Sequence, residues 1–200
     1  MYTTKVSRFP QAQFLISAAA PGQFPSDRGA EIAFVGRSNA GKSSAINALM
    51  QRQGLARTSK TPGRTRLLNF FDLGSERRIV DLPGYGYAAA PEHERRTWQP
   101  MTDALRQRAS LRGLFVIVDS RRGITDGDEG LLDWAGPLHH VHVLLAKSDK
   151  LNRSESQQVL RESTAALGER GTVQLFSAHA RTGVEEAQNV LTAWLEEKIE

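Results

Sequence analysis

One stretch of the sequence combines the residue types and the spacing of a loop that binds phosphates. Residues 36–43 satisfy the pattern G-x-x-x-x-G-K-[ST] between a predicted strand and a predicted helix. The glycines let backbone N–H groups point inward, the lysine reaches the outer phosphates, and the final serine is a ligand for Mg²⁺. The predicted phosphate-binding residues are Gly36, Arg37, Ser38, Asn39, Ala40, Gly41, Lys42 and Ser43.

A second segment supplies the carboxylate that a nucleoside triphosphatase needs near its magnesium ion. Asp81 ends a short apolar run and is followed by Leu82, Pro83 and Gly84. We predict that Asp81 is a metal ligand and that Gly84 lets the backbone approach a γ-phosphate and move away afterwards. Aspartate, proline and glycine are also common turn residues, so this interpretation depends on the phosphate-binding loop.

Two further segments have the chemistry to recognise a purine base. Asp149 follows an apolar strand, at the edge where such sheets bind ligands. A carboxylate there accepts two hydrogen bonds that guanine donates and adenine does not, which favours GTP over ATP. Lys147 is expected to brace the phosphate-binding loop, and the end of the last strand to direct backbone N–H groups at the guanine carbonyl. The two segments are Ala146, Lys147, Ser148 and Asp149, and Phe176, Ser177 and Ala178.

The elements that must position these residues alternate short β-branched or aromatic runs with longer amphipathic stretches, which predicts an α/β fold. The predicted strands are 32–35, 67–73, 78–81, 114–119, 141–146 and 172–176, and the predicted helices are 42–51, 92–108, 128–134, 154–167 and 184–197. Three residues separate the second strand from the third, so these two should form an antiparallel hairpin. We expect a mostly parallel six-stranded sheet with this hairpin at its edge and helices on both faces.

The composition fits one globular domain of 200 residues, of which 40% are apolar and 24% charged. No segment approaches the roughly 20 apolar residues of a membrane-spanning helix. The sequence contains no cysteine, which excludes a disulfide framework and thiolate metal sites and fits a cytoplasmic protein. We expect residues 1–30 to form an arm that packs Phe14 and Leu15 on the domain, and residues 31–200 to form a single nucleotide-binding domain.

The amino-acid sequence between these motifs resembles that of the TRAFAC-class small GTPases, and more closely that of the EngB family, which is also called YihA or YsxC. Residues 55–66, 69–71 and 81–88 are similar to the family's switch I and switch II regions; the last two read Asn-Phe-Phe and Asp-Leu-Pro-Gly-Tyr-Gly-Tyr-Ala. The resemblance covers the chain from about Phe14 onward. It implies a Ras-like P-loop GTPase fold and hydrolysis of GTP to GDP and phosphate.

The resemblance also implies roles for individual residues. Thr65 is similar to the switch I threonine that engages Mg²⁺ and the γ-phosphate, so the implied metal ligands are Ser43, Thr65 and Asp81. The implied nucleotide contacts of switch I are Gly63, Arg64, Thr65, Arg66 and Leu67. Tyr85 stands where Ras has a water-orienting glutamine, so we expect slow intrinsic hydrolysis that depends on positioning and metal charge and is stimulated by a partner outside the chain. The expected catalytic residues are Lys42, Thr65, Gly84 and Asn39.

Two positions in these motifs raise questions about affinity and catalysis. Ala146 occupies a position where general GTPases have asparagine and the EngB family usually has threonine, so we expect weaker nucleotide binding. Asn39 matches the asparagine that holds a potassium ion in some related GTPases. Two interpretations of Asn39 remain open: it binds K⁺ beside the phosphates, or it stabilises the loop through backbone hydrogen bonds.

The charge distribution predicts where a polyanion would bind. The chain carries +4 overall, but residues 51–66 contain five basic residues and no acidic one, whereas residues 152–200 contain five basic and eight acidic residues. A nucleotide with Mg²⁺ balances about two of the five positive charges in residues 51–66. The positive charges that are left favour ribosomal RNA as a binding partner. Together with the resemblance, this predicts a GTP-controlled switch that binds the precursor of the large ribosomal subunit and its rRNA during assembly.

Other aspects of the function are expectations of the same kind. The resemblance implies that loss of the protein disturbs cell division and septation, and we expect a monomer without DNA or membrane partners. One alternative is a nucleotide-gated rRNA-binding module with negligible turnover. Another is a protein that contacts septal components directly, although the predicted C-terminal helix is acidic, which disfavours anionic lipid.

Overall fold

The computed structural model describes residues 7–56, 67–84, 92–136 and 139–197, with the helical backbone alone for residues 92–98 and 126–127. The described strands are β1 (Gln13–Ala18), β2 (Ala30–Gly36), β3 (Leu68–Gly74), β4 (Arg77–Asp81), β5 (Leu111–Asp119), β6 (His140–Ala146) and β7 (Thr172–Leu175). The described α-helices are α1 (Lys42–Met50), α2 (Glu92–Arg106), α3 (Asp126–Ala135), α4 (Arg153–Leu167) and α5 (Val184–Glu196). Within these described ranges, every helix is too short or too polar to cross a membrane.

The strands form one sheet in the order β1-β3-β4-β2-β5-β6-β7. Strands β4, β2, β5, β6 and β7 are parallel neighbours, whereas β3 runs antiparallel to both β4 and β1. The predicted hairpin is confirmed, and Ser75 and Glu76 adopt φ angles of 55° and 58° between β3 and β4. The prediction of six strands was wrong by one, because the N-terminal segment adds β1 to the edge of the sheet.

Strand β2 lies in the middle of the sheet and is buried along its whole length. Because side chains alternate along a strand, its residues contribute to both faces. Ile32 and Phe34 join an apolar cluster that α1 and α5 complete, whereas Ala33 and Val35 join a cluster completed by α2, α3 and α4. The predicted α/β architecture with helices on both faces is therefore confirmed.

The N-terminal segment packs differently from the expectation. Phe14 and Leu15 expose 54% and 46% of their surface, whereas Phe9 is buried. Strand β1 is the outermost strand, and its register with β3 shifts between Phe14 and Ile16. Phe14 meets Phe71 edge-on, with ring centroids 6.0 Å apart. The boundary expected at residue 30 thus falls inside one continuous sheet.

A buried ionic cluster holds the segment before β2 against the sheet. The Glu31 carboxylate accepts hydrogen bonds from Arg78 Nε at 2.7 Å and from Arg108 Nε at 2.6 Å. The same two guanidinium groups donate to backbone carbonyls between residues 25 and 28. The side chain of Glu31 is fully buried and those of both arginines are nearly so, so the charges are paired within the protein.

Candidate nucleotide-binding site

The carboxyl ends of the parallel strands meet at one edge of the sheet, where folds of this kind bind ligands. The loop 36–43 begins at the last residue of β2, and Asp81 ends β4. Residues 146–149 begin at the last residue of β6, and residues 176–178 follow β7. The end of β5 lies between β2 and β6 and adds Asp119 to the same edge. The structure therefore brings all these sequence-predicted segments together.

Backbone geometry explains the glycines at both ends of the phosphate-binding loop. A Cβ atom on Gly36 would lie 2.6 Å from the carbonyl oxygen of Ile117 on β5, so a larger residue would push these strands apart. Gly41 adopts a φ of 111° and caps α1, which begins at Lys42. The first N–H groups of a helix have no helical partners, so loop and helix together offer donors to an anion.

Lys42 donates a hydrogen bond to the Asp81 carboxylate, and both side chains are largely buried. Burial raises the pKa of Asp81, and the positive charge of Lys42 opposes that rise. Asn69, opposite Asp81 on β3, donates a further hydrogen bond to this carboxylate. The Asn69 amide is oriented by Ser17 of β1, whose hydroxyl lies 2.6 Å from its Oδ1. The sequence did not reveal this role of Asn69, although the predicted hairpin, which pairs its strand with the strand of Asp81, was a usable signal.

The oxygen donors at this place fit a magnesium ion, which prefers hard oxygen ligands. Asp81 contributes a buried carboxylate, and Ser43 lies in the first turn of α1, next to the lysine that contacts Asp81. Leu67 lies directly before β3 and is half-buried. The remaining predicted residues of the two switch regions lie outside the described part of the chain: Gly63, Arg64, Thr65, Arg66 and Tyr85.

The segment after β4 approaches the phosphate-binding loop closely. The Leu82 N–H group donates to the Phe34 carbonyl at 3.0 Å and so extends the parallel pairing of β4 with β2. Two residues later, a Cβ atom on Gly84 would lie 3.2 Å from both N and Cα of Ser38. The absence of a side chain at Gly84 therefore permits this contact. That the Gly84 backbone also contacts a γ-phosphate stays a prediction.

Lys147 connects three parts of the site. Its Nζ donates to the Asn39 carbonyl at 2.6 Å and to Asp119 Oδ2 at 2.9 Å, so the lysine braces the phosphate-binding loop against β5. Arg121 binds Asp119 through Nε at 2.9 Å and Nη2 at 2.7 Å. Hydrogen bonds from Arg121, and then from Lys147, hold the pKa of Asp119 well below its ordinary range. Asp119 is not among the sequence-predicted site residues, although a carboxylate that ends a predicted strand at this edge was a signal.

The two predicted base-binding segments contact each other. Ser177 Oγ donates to Asp149 Oδ1 at 2.6 Å and accepts from the Ala180 N–H group at 3.0 Å. The hydrogen bond from Ser177 lowers the pKa of Asp149, so this carboxylate is anionic at neutral pH. The Ser148 N–H group also donates to the Phe176 carbonyl at 3.1 Å, which joins the loops after β6 and β7.

The expectation that the segment 176–178 directs backbone N–H groups at the guanine carbonyl is narrowed by the hydrogen bonds of its first two residues. The Phe176 N–H group donates to the Leu145 carbonyl at 2.9 Å, and the Ser177 N–H group donates to the Thr182 carbonyl at 3.0 Å. These bonds extend the pairing of β7 with β6 and close the turn that follows. Of the three predicted donors, the Ala178 N–H group therefore stays the prediction for the guanine carbonyl.

Ala146 is buried at the centre of the site. A Cβ atom on Gly41 would lie 3.7 Å from its methyl group, so Ala146 faces the phosphate-binding loop. Its carbonyl accepts a hydrogen bond from the Ser120 N–H group at 2.8 Å, which fixes the backbone. A methyl group makes this contact without a hydrogen bond, and the weaker nucleotide binding expected from Ala146 stays a prediction.

This fold and this arrangement of loops define a P-loop GTPase with a Ras-like fold. The crystal structure of a probable GTP-binding protein engB matches 84% of this chain and 100% of that chain, with a TM-score of 0.66 and 23% identity. The structure of Era in complex with MgGDPNP and nucleotides 1506–1542 of 16S ribosomal RNA matches 86% of this chain and 59% of that one, with a TM-score of 0.64 and 20% identity. At these identities the matches establish the shared fold.

The particular family follows from the sequence comparisons. The profile of the family described as "50S ribosome-binding GTPase" matches residues 31–148. A relative named "Probable GTP-binding protein EngB" from Azoarcus sp. (strain BH72) is 53% identical over 193 residues, which cover 94% of this chain and 92% of that protein. One of the same name from Coxiella burnetii (strain RSA 493 / Nine Mile phase I) is 48% identical over 191 residues, 93% of each. The chain belongs to the EngB family of GTP-binding proteins and is a GTPase.

Proposed function

We propose that this GTPase is a GTP-controlled switch in assembly of the large ribosomal subunit, acting in the cytoplasm as a monomer, and that normal division and septation depend on it. The description of the matched family, "50S ribosome-binding GTPase", supports the large subunit as the partner. Era, which shares the fold, is bound to a segment of 16S ribosomal RNA, which supports binding of ribosomal RNA by a protein of this fold. The switch proposal rests on the close contact between Gly84 and the phosphate-binding loop, where a Cβ atom on Gly84 would lie 3.2 Å from Ser38. Through this contact, a change at the phosphates reaches the chain that follows Gly84.

Different residues of the site bind the phosphates, the magnesium ion and the guanine base. Residues 36–43 cradle the phosphates, and Lys42 is within reach of the outer ones. Ser43 and Asp81, with Thr65 from switch I, would hold Mg²⁺, which when bound neutralises phosphate charge and polarises the γ-phosphate. Asp149 and the Ala178 N–H group hold the guanine. In this scheme residues 31–200 form the GTP-binding unit and β1 extends its sheet.

Hydrolysis in this scheme depends on positioning more than on a general base. The proposed catalytic residues are Lys42, which stabilises phosphate charge, Gly84, whose backbone approaches the γ-phosphate, Thr65 and Asn39. Asn39 adopts a φ of 64° and its carbonyl is engaged by Lys147, so its side chain and not its carbonyl is the group offered to a cation. We propose K⁺ as that cation.

The potassium proposal has a direct test. GTP turnover is measured in KCl and in NaCl at equal ionic strength, with the wild type and with Asn39→Ala. Faster turnover in KCl, lost in the variant, is the expected result. Equal rates in the two salts would reject a role for potassium and leave Asn39 as a loop-stabilising residue.

The ribosomal proposal is tested by binding to large-subunit precursors. Co-sedimentation with these particles is compared for the protein loaded with a non-hydrolysable GTP analogue and with GDP. We expect tighter binding with the analogue, and loss of that binding when Arg57 and Lys60 are changed to Gln. The matched control changes Arg153 and Arg161, exposed bases of α4, to Gln. Binding that ignores the nucleotide, or that both double variants weaken equally, contradicts the proposal.

A further inference from the structure

A large groove lies at the end of the sheet opposite the nucleotide site. It has a volume of about 960 Å³ and is lined by the start of β6, the start of β7, the end of α3 and the last turns of α5. Strand β6 begins here at His140 and ends at the nucleotide site, so the length of a seven-residue strand, roughly 20 Å, separates the two places. The groove is therefore a separate surface, large enough for several residues of an extended chain.

The floor of the groove is apolar and held in place. The Trp194 ring packs on β5 at Gly113, where a Cβ atom would lie 2.9 Å from the ring atoms Cε3 and Cζ3. Phe115 meets the ring edge-on at 5.4 Å, and His140 stacks on it with centroids 5.2 Å apart. These contacts fix the indole before any partner arrives. The other apolar lining residues are Leu132, Val141, Val190 and Ala193.

The rim of the groove is acidic. Asp133 of α3, with a side chain that is 76% exposed, and Glu169 line it directly. Arg170 is paired with Glu129 at 2.6 Å, and His140 with Glu197 at 3.0 Å. Arg170 also lies 3.8 Å from Asp133, and Arg106 reaches the lining at Gly136, where a Cβ atom would lie 3.1 Å from its Nη2. Among the described residues of the lining and their direct neighbours, four carboxylates therefore face two guanidinium groups, a formal charge of −2 when histidines are counted as neutral. The sign is opposite to the +4 of the whole chain.

We propose that this groove is a docking site for a basic protein segment, an extended Lys- and Arg-rich peptide with one apolar or aromatic side chain as its anchor. The anchor packs on Trp194 and its aliphatic neighbours, and the flanking cations face carboxylates that three different elements place around the floor. Phosphate-bearing ligands, whether nucleic acid or anionic lipid, are disfavoured by the same carboxylates. The inference rests on this surface alone and does not require the ribosomal proposal.

Fluorescence anisotropy with defined peptides tests the proposal. The probe is a short fluorescein-labelled peptide of alternating Lys, Arg and Gly with one central Phe, which we expect to bind with micromolar affinity that falls with added salt. Two matched peptides replace the Phe with Gly, or all Lys and Arg with Glu, and both should bind at least about tenfold more weakly. Equal binding of the three peptides, or no binding of the first, overturns the proposal.

Variants of the protein locate the binding. Asp133→Asn combined with Glu169→Gln removes two rim charges and should weaken binding about fivefold, and Ala193→Lys, at an exposed position on the floor, should weaken it more than tenfold. The control, Glu162→Gln with Glu186→Gln, removes two exposed charges of α4 and α5 outside the groove and should bind normally. Basal GTP hydrolysis should be unchanged in all of them. Peptide binding that survives both groove variants overturns the assignment.

Sedimentation equilibrium distinguishes a basic peptide from a second copy of the chain as the occupant of the groove. The second copy is the alternative because its residues 51–66 are basic and would complement the acidic rim. The wild-type protein should remain monomeric at concentrations where the peptide binds. Self-association that Ala193→Lys abolishes would overturn the proposal in favour of a homotypic contact.

Discussion

The Nζ atom of Lys147 lies 2.9 Å from Oδ2 of Asp119 and 2.6 Å from the carbonyl oxygen of Asn39. One ammonium group thus joins the end of β5, the chain after β6 and the phosphate-binding loop. Asp119 stays anionic because Arg121 binds both of its oxygens. This arrangement makes Asp119 a positioning residue for the loop, acting through Lys147.

Asp119→Asn should weaken this brace. A neutral amide attracts the Lys147 ammonium group less than a carboxylate does, so the loop loses part of its support, and we expect GDP to dissociate about tenfold faster. Stopped-flow release of a fluorescent GDP analogue measures the rate. The matched control is Asp103→Asn, at an exposed position on α2, which should release GDP as the wild type does. Equal rates for the two variants would show that Asp119 does not position the loop.

The lowered pKa of Asp119 also predicts a pH dependence of stability. A carboxylate with a pKa below its unfolded value of about 3.9 stabilises the fold above that pH, and the stabilisation is lost as the pH falls below it. The difference in unfolding free energy between wild type and Asp119→Asn should therefore be constant from about pH 5 to pH 7 and shrink below about pH 4. Urea unfolding at a series of pH values measures it. A difference that grows on acidification would contradict the assignment.

Glu31→Gln should destabilise the fold strongly. The carboxylate is fully buried between Arg78 and Arg108, so its removal takes away the anion of Arg78 and leaves Arg108 with the more distant Asp27, at 3.9 Å. We expect a loss of about 3 kcal/mol in unfolding free energy, measured by urea denaturation. Glu162→Gln, an exposed carboxylate of α4, is the control and should change stability by less than about 0.5 kcal/mol. A small effect of Glu31→Gln would mean that the arginines find other partners.

Ala146→Asn should tighten nucleotide binding. The methyl group of Ala146 faces the phosphate-binding loop, so a carboxamide there restores a hydrogen bond that the present side chain cannot make. One such bond corresponds to about a fivefold to tenfold gain in affinity for GDP, measured by titration calorimetry. Ala146→Val adds bulk without polarity and should not improve binding. Unchanged affinity of the asparagine variant would refute the explanation.

Much of the fold could be predicted from the sequence because most strands and helices leave a local pattern of apolar residues and glycines. The runs around Ile32 and Val116 are apolar because both faces of the sheet are covered, and the helix beginning at Lys42 starts where the glycine pattern predicts. Strand β1 escaped prediction because Phe14 and Leu15 are exposed at a sheet edge, where burial imposes no alternating pattern. The apolar run there indicated packing, whereas backbone pairing with β3 is what holds it.

The sequence predicted the chemistry of the site: a phosphate-binding loop, a carboxylate for a metal ion and a carboxylate for guanine, each in a short contiguous motif. The tertiary structure alone decided which residues support them, because those contacts join positions far apart in the chain. Lys147 reaches Asn39 across 108 positions, Asn69 meets Asp81 only through strand register, and the N–H groups of Phe176 and Ser177 are taken by neighbouring strand and turn. Motifs record local backbone requirements, whereas hydrogen-bond partners between strands are fixed only when the sheet assembles.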